Sequence, residues 1–290
     1  MIPNNNLSVL PFYTSIDQQN ARKWWIYGRV YPLYTLAGYL PPFQILYDSS
    51  KNSTIGSFSL YRANGTKVGD YLQPFKDAGA TVVAYSTRGY KILVFGGQTA
   101  IWNALDNGQY YVRLSVGGDY YYSEMFTVVN DIEPYLKLEW WDDADFYMDA
   151  GIICYKYSNG TQFKNKLYLP SDIAKPEYIF EEEGETRDGY FFPSKQISEK
   201  RYRFNFLASE YLLDVMRFVR MADFAEITYH GQRYSLDTFL ITPEWENNGD
   251  VAKVEAQFDT ATVAKKLGVG YIKAQRGDFN DDYNNDFNNQ

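Results

Sequence analysis

Apolar and polar residues alternate with a period of two along much of the chain, as in β-strands that bury one face. The clearest run lies in residues 110–116, where Tyr110, Val112, Leu114 and Val116 alternate with tyrosine, arginine and serine. Asn-Gly and Gly-Gly dipeptides separate such runs, and they tolerate the positive φ angles of tight hairpin turns. The pattern therefore predicts a protein that is mostly β.

One segment has the helical period instead. Leu212, Val215 and Met216 are spaced so that they share one face of a helix. Ser209 precedes them, and serine is a favoured residue at the N-cap. The spacing predicts a single principal helix over residues 209–221.

The strand candidates fall into two groups, which predicts two β domains between extended terminal arms. Residues 43–131 contain six or seven predicted short strands, which predicts an immunoglobulin-like β-sandwich. The likeness concerns the architecture alone, because the Cys and Trp spacing of antibody domains is absent. Residues 132–270 are predicted to form a second domain, sandwich-like or barrel-like, that carries the helix. Residues 1–42, punctuated by prolines, form the N-terminal arm, and residues 271–290 form a polar C-terminal arm.

Both arms carry aromatic residues that are candidate assembly contacts, because a buried aromatic anchor contributes ~2 kcal/mol or more at an interface. These candidates are Trp24, Trp25, Tyr27, Tyr31, Phe279, Tyr283 and Phe287. The last three recur every four residues among Asp and Asn. Such a polar stretch cannot bury a core alone, so it is either disordered or ordered by a partner.

The overall charge argues against a nucleic-acid partner. Acidic residues number 36 and basic residues 28, for a net charge of −8, and no cluster of Lys and Arg is present to displace counterions from phosphate. Aromatic residues make up 18% of the chain, with 28 Tyr. Tyrosine favours strands and is also enriched at interfaces, so the composition fits a β-rich protein with an additional contact surface.

The sequence also bears on location. The first ten residues contain no basic segment followed by an apolar one, so no secretory signal is expected. Residues 24–40 are apolar but are interrupted by Arg29, Pro32 and Gly38, so no membrane insertion is predicted. We expect the protein to be made in the cytoplasm and to leave it only as part of a particle.

No catalytic set is evident, and the chain is predicted not to be an enzyme. His230 is the only histidine and lies in a predicted hairpin turn, and Cys154 is the only cysteine and lies in an apolar run. A Ser-His-Asp or Cys-His arrangement would have to use His230, and a zinc site would need two carboxylates besides these two residues. No cofactor and no metal are therefore expected.

Acidic runs next to aromatic residues leave a carbohydrate-active enzyme as a third hypothesis. Trp140 and Trp141 precede the acids of residues 142–145, and a second acidic run occupies residues 181–183. Glycoside hydrolysis needs two carboxyl groups on either side of a sugar cleft. Adjacent acids in a run are more typical of a solvated or ion-binding loop, which is the prediction for both runs.

A resemblance covers roughly residues 166–267. It is carried by the segments Leu-Tyr-Leu-Pro at 167–170, Lys-Pro-Glu-Tyr at 175–178, Arg-Asp-Gly-Tyr at 187–190 and Thr-Pro-Glu-Trp at 242–245. Together with the order of strands, helix, hairpin and closing strand, they resemble the β-sandwich of phage distal-tail and tail-hub proteins. They also resemble tail-region proteins of phages that infect gut Bacteroidetes, including crAss-like phages.

The resemblance implies a ring-forming structural subunit with no catalytic residues. The expected partners are copies of the chain and other virion tail proteins, and the expected location is the tail of the virion after synthesis in the host cytoplasm. The alternative is a glycan- or receptor-binding adhesin, in which exposed aromatic rings would form sugar platforms.

Overall fold

The structure is a computed structural model that describes residues 8–14, 33–85, 89–97, 101–102, 105–131, 133–142, 146–147, 153–154, 164–245, 251–260 and 264–267. These residues are mostly β, as predicted. The first ten strands are β1 Phe12–Tyr13, β2 Tyr34–Leu36, β3 Phe43–Asp48, β4 Ile55–Arg62, β5 Lys67–Asp70, β6 Thr81–Tyr85, β7 Tyr90–Phe95, β8 Gly108–Val116, β9 Asp119–Ser123 and β10 Phe126–Val129.

The described residues of the second half contain ten further strands and the longer of the two short α-helices that the structure describes. The strands are β11 Leu136–Trp141, β12 Phe146–Tyr147, β13 Ile153–Cys154, β14 Asn165–Leu169, β15 Glu177–Arg187, β16 Tyr190–Ser209, β17 Phe224–Tyr229, β18 Gln232–Trp245, β19 Val251–Thr260 and β20 Ala264–Leu267. The helices are α1 Leu72–Asp77 and α2 Glu210–Met216, and a 3-10 helix follows at Arg217–Met221.

Most of the strands belong to one 15-stranded sheet. Its order is β1-β9-β8-β10-β2-β14-β11-β17-β18-β19-β16-β15, while β4 pairs with β5 and β8, and β20 pairs with β16. Strands β3, β7 and β6 form a three-stranded sheet, and β12 pairs with β13. Neighbouring strands are antiparallel except β2 and β10, which run parallel.

Strand β8 shows how the sequence pattern sets the local structure. Tyr110, Val112, Leu114 and Val116 are buried, and Arg113 and Ser115 are half-buried, as the alternation predicts. Tyr111 departs from the pattern, because it is also buried, in a second cluster with Met125. Residues 117–118, both glycines with positive φ of 66° and 93°, then join β8 to β9. Positive φ at both central residues is the geometry of a tight hairpin turn, and it favours glycine.

A stack of phenylalanine rings joins the small sheet to the large one. Phe75 of helix α1 stacks on Phe58 of β4 with ring centroids 4.1 Å apart. The Phe75 ring also contacts Phe43 of β3 and Phe95 of β7, with centroid distances of 5.9 Å and 5.0 Å. All four side chains are fully buried, so helix α1 fills the space between the two sheets.

The predicted helix is present, but its cap differs from the expectation. Residues 209–221 form α2 followed by the 3-10 helix, and Leu212, Val215 and Met216 are buried on one face as predicted. Ser209 occupies the N-cap position, yet its buried hydroxyl makes no cap hydrogen bond. Ser209 is also the last residue of β16, where pairing with Val251 constrains its backbone.

Strands from both sides of the predicted boundary at 131/132 meet in the large sheet. Strand β2 pairs with β10 on one side and with β14 on the other. A single cluster of buried hydrophobic residues runs from Val9 to Phe258. Within the predicted N-terminal arm, the described residues 8–14 and 33–42 pack into this core. The immunoglobulin-like arrangement of two domains stays a prediction.

Candidate functional site

The aromatic residues predicted as assembly contacts lie outside the described residues. This holds for all seven, Trp24, Trp25, Tyr27, Tyr31, Phe279, Tyr283 and Phe287. The predicted hairpin turn at residues 159–160 also lies outside the part of the chain that the structure describes. The contacts of the terminal arms therefore stay predictions.

His230 and Cys154 lie where the sequence placed them. His230 occupies the turn between β17 and β18 with φ of 46°, and its ring centroid is 4.1 Å from that of Tyr229. Cys154 is in the two-residue strand β13. Among the residues that are described, no group of three or more His, Cys, Asp and Glu is placed to hold a metal ion. None of their helices has the length and apolar character needed to cross a membrane.

The tryptophan pair does not form an open platform. Trp140 is buried in β11, with 2% of its surface exposed. Trp141 stacks on Phe224 with ring centroids 5.4 Å apart, and the Nζ of Lys164 lies 3.7 Å from its ring centroid. A sugar-binding platform needs an exposed ring face, which Trp140 lacks.

The second acidic run lies in a strand, and the prediction of a loop there is wrong. Glu181, Glu182 and Glu183 are part of β15 and pair with residues 195–197 of β16. The amide of Gln196 donates to Glu182 at 2.8 Å, and Lys195 pairs with Glu183 at 2.8 Å. These cross-strand contacts compensate for the low strand preference of glutamate.

Strands β15 and β16 form a hairpin that extends beyond the buried core. We define the extended hairpin as residues 177–200, in which none of the described side chains is buried. Its turn is made by Asp188 and Gly189, with φ of 51° and 84°. Strand β16 continues past the hairpin into the core, where Phe204 and Phe206 are buried. The hairpin is therefore anchored at its base and exposed along its length.

Five aromatic residues of the extended hairpin are exposed to solvent. Their exposed fractions range from 39% to 72%, and they are Tyr178, Phe180, Tyr190, Phe191 and Phe192. Single exposed apolar residues are normal on a protein surface, but a contiguous group marks an interaction site. The extended hairpin is thus the candidate functional site among the described residues.

Strand alternation gives the extended hairpin an aromatic face. Tyr178 and Phe180 lie opposite Lys200 and Ser198, on the same face of β16 as the core residue Phe204. The core-facing side of the sheet therefore continues outward as this aromatic face. The Nζ of Lys200 lies 5.6 Å from the centroid of the Tyr178 ring, within the range of a cation–π contact.

A glycine allows one further ring to lie over the strand. Phe191 pairs with Thr186, and β16 has a register shift opposite residues 183/184. A Cβ atom on Gly184 would lie 2.8 Å from the Cζ of Phe191 and would collide with the carbonyl oxygen of Phe192. Gly184 is therefore required for the close approach of the two strands, and it leaves room for the Phe191 ring on the aromatic face.

The opposite face of the extended hairpin is acidic. Glu177, Glu181, Glu183 and Glu185 alternate with the residues of the aromatic face along β15. The rings of Phe192 and Tyr190, opposite Glu185 and Arg187, also lie on this second face, whereas Glu182 lies on the aromatic face. The whole extended hairpin has seven acidic and three basic residues, a net charge of −4 out of −8 for the chain. Half of the protein's net charge is thus concentrated in one exposed element.

An ion pair fixes the base of the extended hairpin. Arg201 donates to Asp259 of β19 through Nε at 2.8 Å and Nη2 at 3.1 Å. The Thr238 hydroxyl donates to the same carboxylate at 2.9 Å. The hydrogen bonds from Arg201 hold the pKa of Asp259 below its usual range. Burial acts to raise this pKa, and the hydrogen bond from Thr238 acts to lower it further.

We expect Asp259→Asn to lower the free energy of unfolding by about 1–3 kcal/mol at pH 7, the cost of losing a charged hydrogen-bond partner. The pKa of Asp259 is lower in the folded than in the unfolded protein, where it is roughly 4. The carboxylate therefore stabilises the fold fully above the unfolded pKa, and this stabilisation is lost as pH falls through the folded pKa. Urea unfolding at pH 7 and at pH 3 measures both effects. If the free energies of unfolding of variant and wild type differed by the same amount at both pH values, this role of Asp259 would be contradicted.

Compared with known proteins, the chain matches no protein-family model and no curated protein sequence.

Proposed function

We propose that the chain is a structural subunit of a bacteriophage virion tail, a ring or hub component that acts through protein–protein contacts. The observation that supports this most is the extended hairpin, an anchored element with five exposed aromatic rings. In water these rings leave apolar surface uncovered, and covering it against a neighbour stabilises an assembly. The location in the tail, and partners among copies of the chain and other tail proteins, come from the sequence resemblance.

The geometry of the extended hairpin suits an assembly contact. Its aromatic face continues the core-facing side of the large sheet, so a neighbouring subunit docked there would extend an existing apolar surface. Arg201 and Asp259 hold the base in place, which reduces the conformational entropy that docking would otherwise cost. An anchored element with exposed aromatic side chains is the type of surface from which interfaces obtain most of their binding energy.

The alternative, a glycan- or receptor-binding module, would use exposed rings as sugar platforms. The side chain of Trp245, at the end of β18, is 46% exposed and lies away from the extended hairpin. The two functions differ in what the rings contact. A structural subunit needs them for self-assembly, whereas a glycan-binding module keeps its oligomeric mass when they are removed.

We expect shortening of the extended hairpin to disrupt assembly. Because Phe180 lies opposite Ser198, residues 181–197 can be replaced by a two-residue Asn-Gly turn that closes the remaining strands. The full-length wild type should form a discrete oligomer in light scattering and electron micrographs. The shortened variant should have the mass of a monomer with an unchanged circular dichroism signal per strand residue.

Two substitution variants test the same contact without shortening the chain, since the shortened chain could fail to fold. Tyr178→Ser with Phe180→Ser removes two rings without changing the backbone, and it should lower the oligomer fraction. Tyr120→Ser is the matched control, since Tyr120 is also exposed, at 52%, but lies in β9 outside the hairpin. A monomeric wild type, or an oligomer that all three variants retain, would contradict the proposed function.

A further inference from the structure

Strand β15 is an open edge of the large sheet. It is the last strand in the sheet order and pairs only with β16 among the described strands. Every described side chain from Glu177 to Thr186 is exposed except Ile179, which is half-buried, so none of the residues that the structure describes covers this edge. An open edge presents unpaired backbone N–H and C=O groups that another strand can pair with.

The charges on β15 oppose pairing with a second copy of itself. In a two-fold antiparallel pairing centred on Glu182, the Glu182 side chains of the two copies would lie opposite each other. Glu181 of each copy would lie opposite Glu183 of the other. Like charges that lie directly opposite destabilise a strand pair. Acidic residues at an edge are also a known protection against self-association.

We propose that the edge of β15 binds an extended strand of another protein in which Lys or Arg alternates with apolar residues. The inference rests on the proposed function, because it names the kind of partner that the extended hairpin would take. Basic residues of such a strand would lie beside Glu177, Glu181, Glu183 and Glu185 on the acidic face. Its apolar residues would lie beside Tyr178 and Phe180 on the aromatic face.

The open backbone of β15 and its alternating side chains would together recognise such a strand. Strand addition obtains affinity from main-chain hydrogen bonds, and specificity from side chains that point alternately to the two faces. The concentrated negative charge attracts a basic segment before contact, and salt screens this attraction. Binding through β15 should therefore depend on an intact peptide backbone, on the glutamates and on ionic strength.

A short fluorescent peptide of alternating lysine and valine tests the proposal with the full-length protein. Fluorescence anisotropy should show binding that weakens as salt is raised. The double variant Glu181→Lys with Glu185→Lys should bind about tenfold more weakly, because each reversed charge removes up to about 1 kcal/mol. Glu244→Lys is the matched control, because Glu244 is exposed in β18, towards the end of the sheet opposite the extended hairpin, and should leave binding unchanged.

A second peptide with methylated backbone nitrogens separates strand addition from simple charge attraction, and it should not bind. The proposal fails if the first peptide does not bind, if the methylated peptide binds equally well, or if the double variant binds as tightly as the wild type. The outcome is distinct from that of the hairpin shortening. If shortening the hairpin abolishes assembly but the wild type does not bind the peptide, only the edge proposal is refuted. If the wild type binds the peptide but its oligomer is unaffected by shortening, only the proposed function is refuted.

Discussion

Phe75→Ala is expected to lower the free energy of unfolding by about 3–5 kcal/mol, the range for truncating a buried phenylalanine. Phe75 is fully buried and contacts rings from both sheets, with centroid distances of 4.1 Å to Phe58 and 5.0 Å to Phe95. Truncation leaves a cavity between two sheets that cannot close without moving strands. Urea unfolding followed by circular dichroism gives the value.

Phe180→Ala is the matched control for this substitution. It removes the same atoms from a side chain that is 71% exposed on the extended hairpin, so the free energy of unfolding should change by less than about 0.5 kcal/mol. Phe180→Ala should instead weaken assembly. Comparable losses of stability in both variants would contradict the assignment of Phe75 to the core and Phe180 to a contact surface.

Phe258→Ala is expected to have an effect of similar size in the other half of the chain, about 3–5 kcal/mol. Phe258 is fully buried in β19, stacks on Tyr202 at 5.2 Å and contacts Phe204 at 6.2 Å. Leu207→Ala provides the control, because Leu207 is exposed on the outer side of the neighbouring strand β16.

Phe75→Ala and Phe258→Ala should shift the same unfolding transition. Strand β2 joins the two halves of the large sheet through β10 and β14, and the buried cluster runs through both. Cooperative unfolding follows when no part has a core of its own. Calorimetry that resolves two transitions, each sensitive to only one substitution, would show instead that the two predicted domains unfold independently.

Local sequence patterns were enough to predict many of the strands. β8 has strict alternation, and glycines follow it where the turn needs positive φ, so both strand and turn could be predicted. Helix α2 could be predicted because Leu212, Val215 and Met216 are buried at helical spacing. Helix α1 escaped prediction because six residues are too few to show a period, and its position depends on Phe75 packing between two sheets.

The extended hairpin was harder to predict because its strands lack a buried face. Strand β15 contains consecutive glutamates, and these resemble a solvated loop when hydrophobic alternation is the only criterion. One usable signal was present, the Asp188-Gly189 dipeptide directly before the aromatic residues 190–192, which is typical of a hairpin turn. Pairings between residues distant in sequence, such as β2 with β14, leave no local signal at all.

The most direct test of the central claim asks whether the extended hairpin contacts a neighbouring subunit. The photo-crosslinking residue p-benzoylphenylalanine replaces Phe180 in one sample of purified full-length protein and Tyr120 in another. Both positions are exposed in the isolated chain. Irradiation and denaturing electrophoresis then detect covalent links between chains. We predict links between chains from position 180 that disappear on dilution below the assembly concentration, and none from position 120. Links that are absent from position 180, or equally frequent from both positions, would contradict assembly through the extended hairpin.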